Sequence, residues 1–336
     1  MIIARAPFRI TLGGGGTDLP SFYEEHGGFV FSMSIDKYMY IFLHALPVTH
    51  HHSIIRYSEV EYVSSIDEIR HPLAREVLRL HDVHEFVEVT SMADLPARTG
   101  LGSSGSYLVS LLTAVHTYKK RAASQQELAD QACHIEMDIL KEPVGKQDQY
   151  MAAFGGFQVL EISRDGNVEV TSVPVDLTMA SELVTKTRMY YTGVQRSAKN
   201  VLVSQDEAAR ERSRPDHKQV VESLERIKEI GRQIRDAFEA RDLDTFGQLM
   251  DEHWKYKQQM SPRIGLTVFD QLYDEVKRRF GVLGGKIIGA GGGGFVLLYC
   301  PNQARELDAF MAEHNMPQVD MFPTFEGAKI VSDIGN

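Results

Sequence analysis

The sequence predicts an α+β chain of two packed domains, residues 1–180 and 181–336. Three observations carry this. The chain has 336 residues, long for one hydrophobic core and comfortable for two. Strand-type and helix-type patterns interleave in the first half, while amphipathic helix patterns dominate the second. Glycine-rich turns interrupt both halves.

Residues 2–12 read as a strand, ended by Gly13-Gly14-Gly15-Gly16. Residues 29–43 are aromatic and β-branched and fit one bent strand or two. Residues 86–90 alternate as a strand, and the loop 94–102 follows. A helix begins near Ser103, because Leu108, Leu111, Leu112, Val115 and Tyr118 recur at helical spacing. A second begins at Ser124, with Glu127 completing a capping box, and runs to about Lys141 before Pro143 stops it. Strands at 157–162 and 168–173 flank Asp165-Gly166, a hairpin signal. The domain boundary falls near residues 175–187. A strand over 188–191 opens the second half. Helices are expected over 215–241, 243–260 and 268–280, and a strand over 295–300 after the last glycine run.

The segment from Pro96 to the helix start carries the strongest chemical signal. Gly100, Leu101, Gly102, Ser103, Ser104, Gly105 and Ser106 crowd one turn. Glycines let successive amides point at one place, and a helix N-terminus adds unpaired N–H groups and a positive dipole end. Together they form an anion site suited to nucleotide phosphates. The blander alternative is a Gly/Ser turn with Ser103 as an ordinary N-cap. Glu136 falls inside the apolar stripe of the Ser124 helix, where a carboxylate needs a cation, a metal or a route to solvent. A Mg²⁺ ligand and an edge residue reaching water both fit. Asp148 is placed on a loop after Pro143, where it can face a cleft and accept a proton from a hydroxyl. A solvated loop carboxylate is the alternative. Gly289-x-Gly291-x-x-Gly294 matches a dinucleotide fingerprint in letters, but a strand follows it where that motif needs a helix. A tight turn packed against another loop or a ligand fits better. His50-His51-His52 reads as solvated loop, since adjacent side chains of an extended segment diverge.

Composition narrows the rest. A formal net charge of −10 argues against a nucleic-acid partner. Cys133 and Cys300 show no metal-ligand spacing and read as buried free thiols in a reducing compartment. No apolar run approaches the roughly 20 residues that span a bilayer, and the first residues do not resemble a signal peptide. A cytoplasmic location without membrane contact is expected.

The motifs resemble those of the GHMP kinases, in the family's order: Arg5-Ala6-Pro7-Phe8-Arg9 through Thr17-Asp18, then residues 96–106, then residues 286–295. The resemblance implies a ribosomal-protein-S5-like N-terminal α/β domain, a ferredoxin-like C-terminal domain and an active site between them. It implies ATP and Mg²⁺ as cofactors, with the backbone of residues 100–106 on the phosphates and Ser104 and Glu136 on the metal. Asp148 would face the acceptor hydroxyl and Arg9 would pair with it, while Gly16, Thr17, Asp18 and Gly292 would bind the sugar. Within the family, the runs G-G-G-G-T-D-L, G-K-Q-D-Q and Y-T-G-V-Q-R look most like the bacterial D-glycero-D-manno-heptose 7-phosphate kinases. That implies a sugar phosphate as substrate, with Arg196, joined by Lys199 or Arg98, on its distal phosphate; an ordinary surface cation is the alternative for each one singly. Galactokinases carry Ile-Gly-Glu-His where Gly13-Gly14-Gly15-Gly16 stands here, which implies a more open sugar site. An anomeric kinase for a free sugar and a catalytically silent sugar sensor remain alternatives, though the set Arg9, Ser104, Glu136 and Asp148 disfavours the sensor.

Overall fold

The computed structural model describes residues 1–46, 52–194, 198–260, 267–289, 291 and 293–334. The chain opens with β1 (Ile2–Gly13), α1 (Pro20–His26), β2 (Gly28–Ala45), β3 (Ser53–Arg56) and β4 (Val60–Val63). Then come α2 (Pro72–Leu80), β5 (Val87–Ala93), α3 (Ser103–Tyr118), α4 (Gln125–Cys133), α5 (Gln147–Phe154), β6 (Phe157–Ile162) and β7 (Val168–Ser172). The second half contains α6 (Leu177–Lys186), β8 (Thr187–Tyr191), α7 (Ala198–Arg210), α8 (His217–Glu239), α9 (Leu243–Gln259) and α10 (Thr267–Phe280). It closes with β9 (Gly284–Ile287), β10 (Phe295–Tyr299), α11 (Ala304–Glu313) and β11 (Lys329–Asp333).

The larger sheet runs β11-β1-β2-β5-β3-β4, with β6 and β7 joined through β2. Residues 29–43 belong to one long strand whose pairing changes partway. Residues 28–33 of β2 pair with β6, and residues 39–45 pair with β5. The register against β1 shifts between Pro7 and Phe8, opposite the changeover. β11 pairs with β1, so the chain's last strand returns to the first sheet. β8, β10 and β9 form a separate antiparallel sheet.

β1 is buried on both faces from Ala6 onward, and period two decides which side chain goes where. Arg9 and Thr11 turn toward α3 and α5. The sheet's other face carries aromatic residues: Phe31 and Phe157 stack against Phe238 of α8. The first glycine run is packed tightly against α8. A Cβ on Gly13 would lie 2.8 Å from Gly231 Cα, and one on Gly14 (φ +77°) would lie 1.9 Å from the Phe29 carbonyl. At these two positions the glycines permit close backbone approach, whereas Gly16 lines a cleft.

The Ser124 helix is α-helical to Cys133 and continues as a π-helical turn over His134–Ile139, close to the expected end. Ser124 does cap it, accepting from the Glu127 amide at 3.1 Å. Asp148 is not on a loop: it sits in the first turn of α5, because the chain resumes a helix directly after the Gly145-Lys146 bend. Cys133 and Cys300 are buried free thiols, as expected. His50, His51, Arg196 and Gly292 lie outside the described residues, and Lys199 lies in α7.

Candidate active site

The glycine turn before α3 is shaped by two close approaches and a left-handed cap. Gly100 (φ +87°) lies against the next glycine turn, where a Cβ would come within 2.5 Å of the Ile288 carbonyl. Gly102 is the helix N-cap in the left-handed region (φ +81°), so Ser103 is the first helical residue rather than the cap. Gly105 lets α5 approach, since a Cβ there would sit 2.7 Å from the Asp148 carbonyl carbon. The first intrahelical bond runs from the Ser106 amide to the Gly102 carbonyl. The amides of Ser103, Ser104 and Gly105 therefore precede the helical ladder and form a positive patch.

The Ser103 and Ser104 end of this patch opens on a cleft of about 210 Å³, while Gly105 is packed against α5 and lies outside the lining. Gly100, Gly102, Ser103 and Ser104 line one wall, with Arg98 beside them. Arg9, Asp148, Gly16, Asp18, Gln205 and Lys257 also line the cleft. Ser106 and Thr17 are not brought in. The Ser106 hydroxyl donates to the Pro7 carbonyl at 2.7 Å, and the Thr17 hydroxyl donates to the Gly14 and Phe29 carbonyls. Leu101 is buried, with its carbonyl accepting from the Arg9 amide, and Pro96 is exposed and outside the lining.

Arg9 is held rigidly. Its Nε donates to Asp148 Oδ1 at 2.8 Å, Nη2 lies 2.5 Å from the same oxygen, and Nη1 donates to the Gly100 carbonyl at 2.5 Å. One guanidinium thus ties the glycine turn to the carboxylate. Asp18 is buried and accepts from the Gly16 amide, the Gln147 amide and Gln147 Nε2 at 3.1–3.2 Å. Burial raises its pKa, and the Asp148 charge adds to the rise. Gly145 is required beside it, since a Cβ would fall 2.0 Å from Asp18 Oδ2.

Glu136 sits on the π-helical turn, 3% exposed and behind Ser104 rather than in the cleft wall. Its Oε2 accepts from Gln149 Nε2 at 2.7 Å. Burial pushes its carboxyl up to about 7, the Asp148 charge adds to that, and hydrogen bonds from Ser104 and Gln149 oppose it. A carboxylate and a hydroxyl side by side are hard oxygen donors, and a divalent cation would relieve the cost of the buried charge. The pair therefore fits Mg²⁺, an ion that takes most of its shell from phosphates and water. Among the described residues there is no cluster of three or more His, Cys, Asp or Glu that could hold a metal.

The third glycine turn packs on the first wall, as expected: a Cβ on Gly289 (φ +77°) would lie 2.5 Å from Gly100 Cα. Its carbonyl accepts from Lys257 Nζ at 2.6 Å. Lys257 is buried, and its ammonium is pushed down to about 8 by burial and then by Arg9, with Asp18 opposing. Neither Lys257 nor Gln205 is singled out by the sequence motifs. Lys257 had a readable signal, because it continues the buried stripe Phe246, Met250, Trp254 of α9, just as Glu136 interrupts its own.

An amide patch, a carboxylate and a clamped guanidinium share one cleft, an arrangement whose chemistry can serve phosphoryl transfer. Known proteins agree. The GHMP kinases N-terminal domain matches residues 70–156 and the GHMP kinases C-terminal domain matches residues 234–315. The chain belongs to the GHMP kinase family, with the family's two-domain fold: it is a sugar kinase of the GHMP type that draws its phosphoryl group from ATP.

Particular relatives narrow this further. The chain is similar to the D-glycero-α-D-manno-heptose 7-phosphate kinase of Campylobacter jejuni, 26% identical over 310 residues and 89% of each chain. It is also similar to the L-fucokinase/L-fucose-1-P guanylyltransferase of Bacteroides fragilis, 24% identical over 89% of this chain and 34% of that longer one. The crystal structure of a D-glycero-D-manno-heptose 1-phosphate kinase from Bacteroides thetaiotaomicron shares the fold, with a TM-score of 0.81 at 21% identity over the whole of both chains. Among the described residues no helix is long and apolar enough to cross a membrane.

Proposed function

We propose that this kinase transfers the γ-phosphoryl group of ATP to the anomeric hydroxyl of D-glycero-D-manno-heptose 7-phosphate. The product is the 1,7-bisphosphate, used in nucleotide-activated heptose synthesis in the cytoplasm. The observation that carries the reading is the shared cleft, lined by Ser103 and Ser104, whose amides precede the helical ladder, and by Asp148, clamped by Arg9. The full-length similarity to a heptose 7-phosphate kinase supports the substrate. The reading keeps residues 1–180 and 181–336 as the two working domains, with the last strand returning to the first.

In this reading the amides hold the β- and γ-phosphates, while Ser104 and Glu136 hold Mg²⁺, which neutralises phosphate charge. Asp18, fixed by Gln147 and Gly16, orients the sugar. The acceptor oxygen bonds to the γ-phosphorus as the bond to the bridging oxygen breaks, and Asp148 takes or directs the hydroxyl proton. Arg9 stabilises charge on the transferring group. Arg98 lines the cleft on an exposed turn and supplies a cation for the distal phosphate, a role that Arg196 and Lys199 share in the expectation.

The similarity to an L-fucokinase favours a second reading, an anomeric kinase for a free sugar. A panel of heptose 7-phosphate, hexose phosphates, L-fucose and galactose, assayed for ATP consumption and for the position of the new phosphate, separates the two. The account expects kcat/KM for heptose 7-phosphate to exceed that for any free sugar by at least a hundredfold. Preference for a free sugar overturns it.

A further inference from the structure

Two buried donors in the cleft wall have no place in the chemistry above. Gln205 of α7 is 2% exposed, lines the cleft, and its Nε2 finds no hydrogen-bond partner among the described residues. Lys257 of α9 is 6% exposed, lines the same cleft, and among the described residues donates to the Gly289 carbonyl alone, which leaves two of its three hydrogens. A buried donor without an acceptor costs more than an apolar side chain of the same shape, so neither residue is explained by packing.

We propose that Gln205 and Lys257 form the acceptor subsite, giving hydrogen bonds to the sugar oxygens that flank the reacting hydroxyl. Gln205 lies toward the acceptor end of the cleft. α7 packs against α1, which begins directly after Asp18 and Leu19, and both of those residues line the cleft beside Gln205. Lys257 stands at the seam between the third glycine turn and Asp18. The charges acting on it are Arg9 on β1 and Asp18, and its own charge is felt by Lys286 on β9 and by His253 one turn back on its own helix. Lys286 is turned away, donating to the Leu12 carbonyl at 2.9 Å, so Lys257 is the ammonium that reaches the cleft. Asp18 accepts hydrogen bonds while Gln205 and Lys257 donate them. A polyhydroxylated sugar, whose hydroxyls do both, satisfies all three.

The inference rests on the kinase reading but not on which sugar is used. The test therefore takes whichever acceptor the wild-type enzyme turns over best. Gln205→Leu and Lys257→Met keep the length of each side chain and remove the donor. Each variant is assayed with acceptor varied at saturating ATP and with ATP varied at saturating acceptor. The expected result is a loss of at least tenfold in kcat/KM for the acceptor, with KM for ATP within about threefold of wild type. Lys257→Arg should recover part of the loss. Unchanged acceptor kinetics, or equal losses on both substrates, would overturn the subsite. Thermal unfolding with and without ATP shows which variants fold, and Gln205→Leu alone decides if Lys257→Met does not. Preference of the wild type for a free sugar would sink the heptose assignment and leave this test intact.

Discussion

Replacing Asp148 with Asn separates the two things that residue does, anchoring Arg9 and meeting the acceptor. The Arg9 side chain is 5% exposed and the Asp148 side chain 24% exposed. Breaking a fully buried pair costs about 3–5 kcal/mol, because the surviving charge is left uncompensated. Here the cost is smaller. Asp148 is partly solvated, Asn keeps an oxygen for Arg9 Nε, and Nη1 keeps the Gly100 carbonyl. About 1–3 kcal/mol is expected, a fall in Tm of about 1–4 °C for a chain of this size. Turnover should fall by about 10²- to 10⁴-fold, the usual contribution of a positioned acid or base. Nucleotide binding should survive, since the free amides and Arg9 remain. Indeed a γ-phosphate can replace the lost carboxylate beside Arg9, so a non-hydrolysable ATP analogue should raise Tm at least as much in the variant as in wild type. Scanning calorimetry with and without the analogue, beside steady-state turnover, reads all three. Turnover within tenfold of wild type, or loss of the analogue-induced rise, would refute the reasoning.

Three further outcomes follow from named contacts. Gly145→Ala puts a methyl carbon where Asp18 Oδ2 stands, 2.0 Å away, so Asp18 must move; kcat/KM for the sugar should drop at least tenfold while KM for ATP holds, and unaltered sugar kinetics would contradict Asp18 as a sugar ligand. Glu136→Gln should raise the Mg²⁺ concentration for half-maximal activity at least tenfold, and an unchanged metal dependence would remove Glu136 from the coordination shell. The lowered Lys257 pKa has a stability signature. The folded ammonium titrates near 8 and an unfolded lysine near 10.4, so between those values the unfolded chain holds more proton and stability due to this residue rises with pH. Wild type should gain up to about 3 kcal/mol on Lys257→Met from pH 8 to pH 10, with no relative change below pH 8; parallel profiles throughout would show that the ammonium is not desolvated.

Much of the cleft's phosphate side was legible because it is local in sequence. Glycines 100, 102 and 105 and the following helical spacing lie within one short segment, and α3 begins at Ser103 as the pattern predicts. The hairpin around Asp165-Gly166 was readable for the same reason. The acceptor side was less so, because residues 18, 147, 205 and 257 come from four distant segments. Asp148 was misplaced on a loop, since Pro143 signals a helix end but nothing in Lys146-Gln147-Asp148 announces an immediate restart with no side-chain cap. The glycines at 13 and 14 carry the same letters whether they open a pocket or admit a neighbouring helix. Gly231, more than 200 residues away, decides for the helix. Lys257 shows what periodicity can still yield: an ionisable side chain inside a buried stripe is worth pursuing on any helix, as it was for Glu136.

A crystal structure with a non-hydrolysable ATP analogue, Mg²⁺ and the preferred sugar tests the central claim most directly. The account predicts the γ-phosphate against the amides of Ser103 and Ser104, and the acceptor oxygen within about 3.2 Å of the Asp148 carboxylate. Nucleotide bound away from these amides, or an acceptor oxygen turned from Asp148, would contradict it.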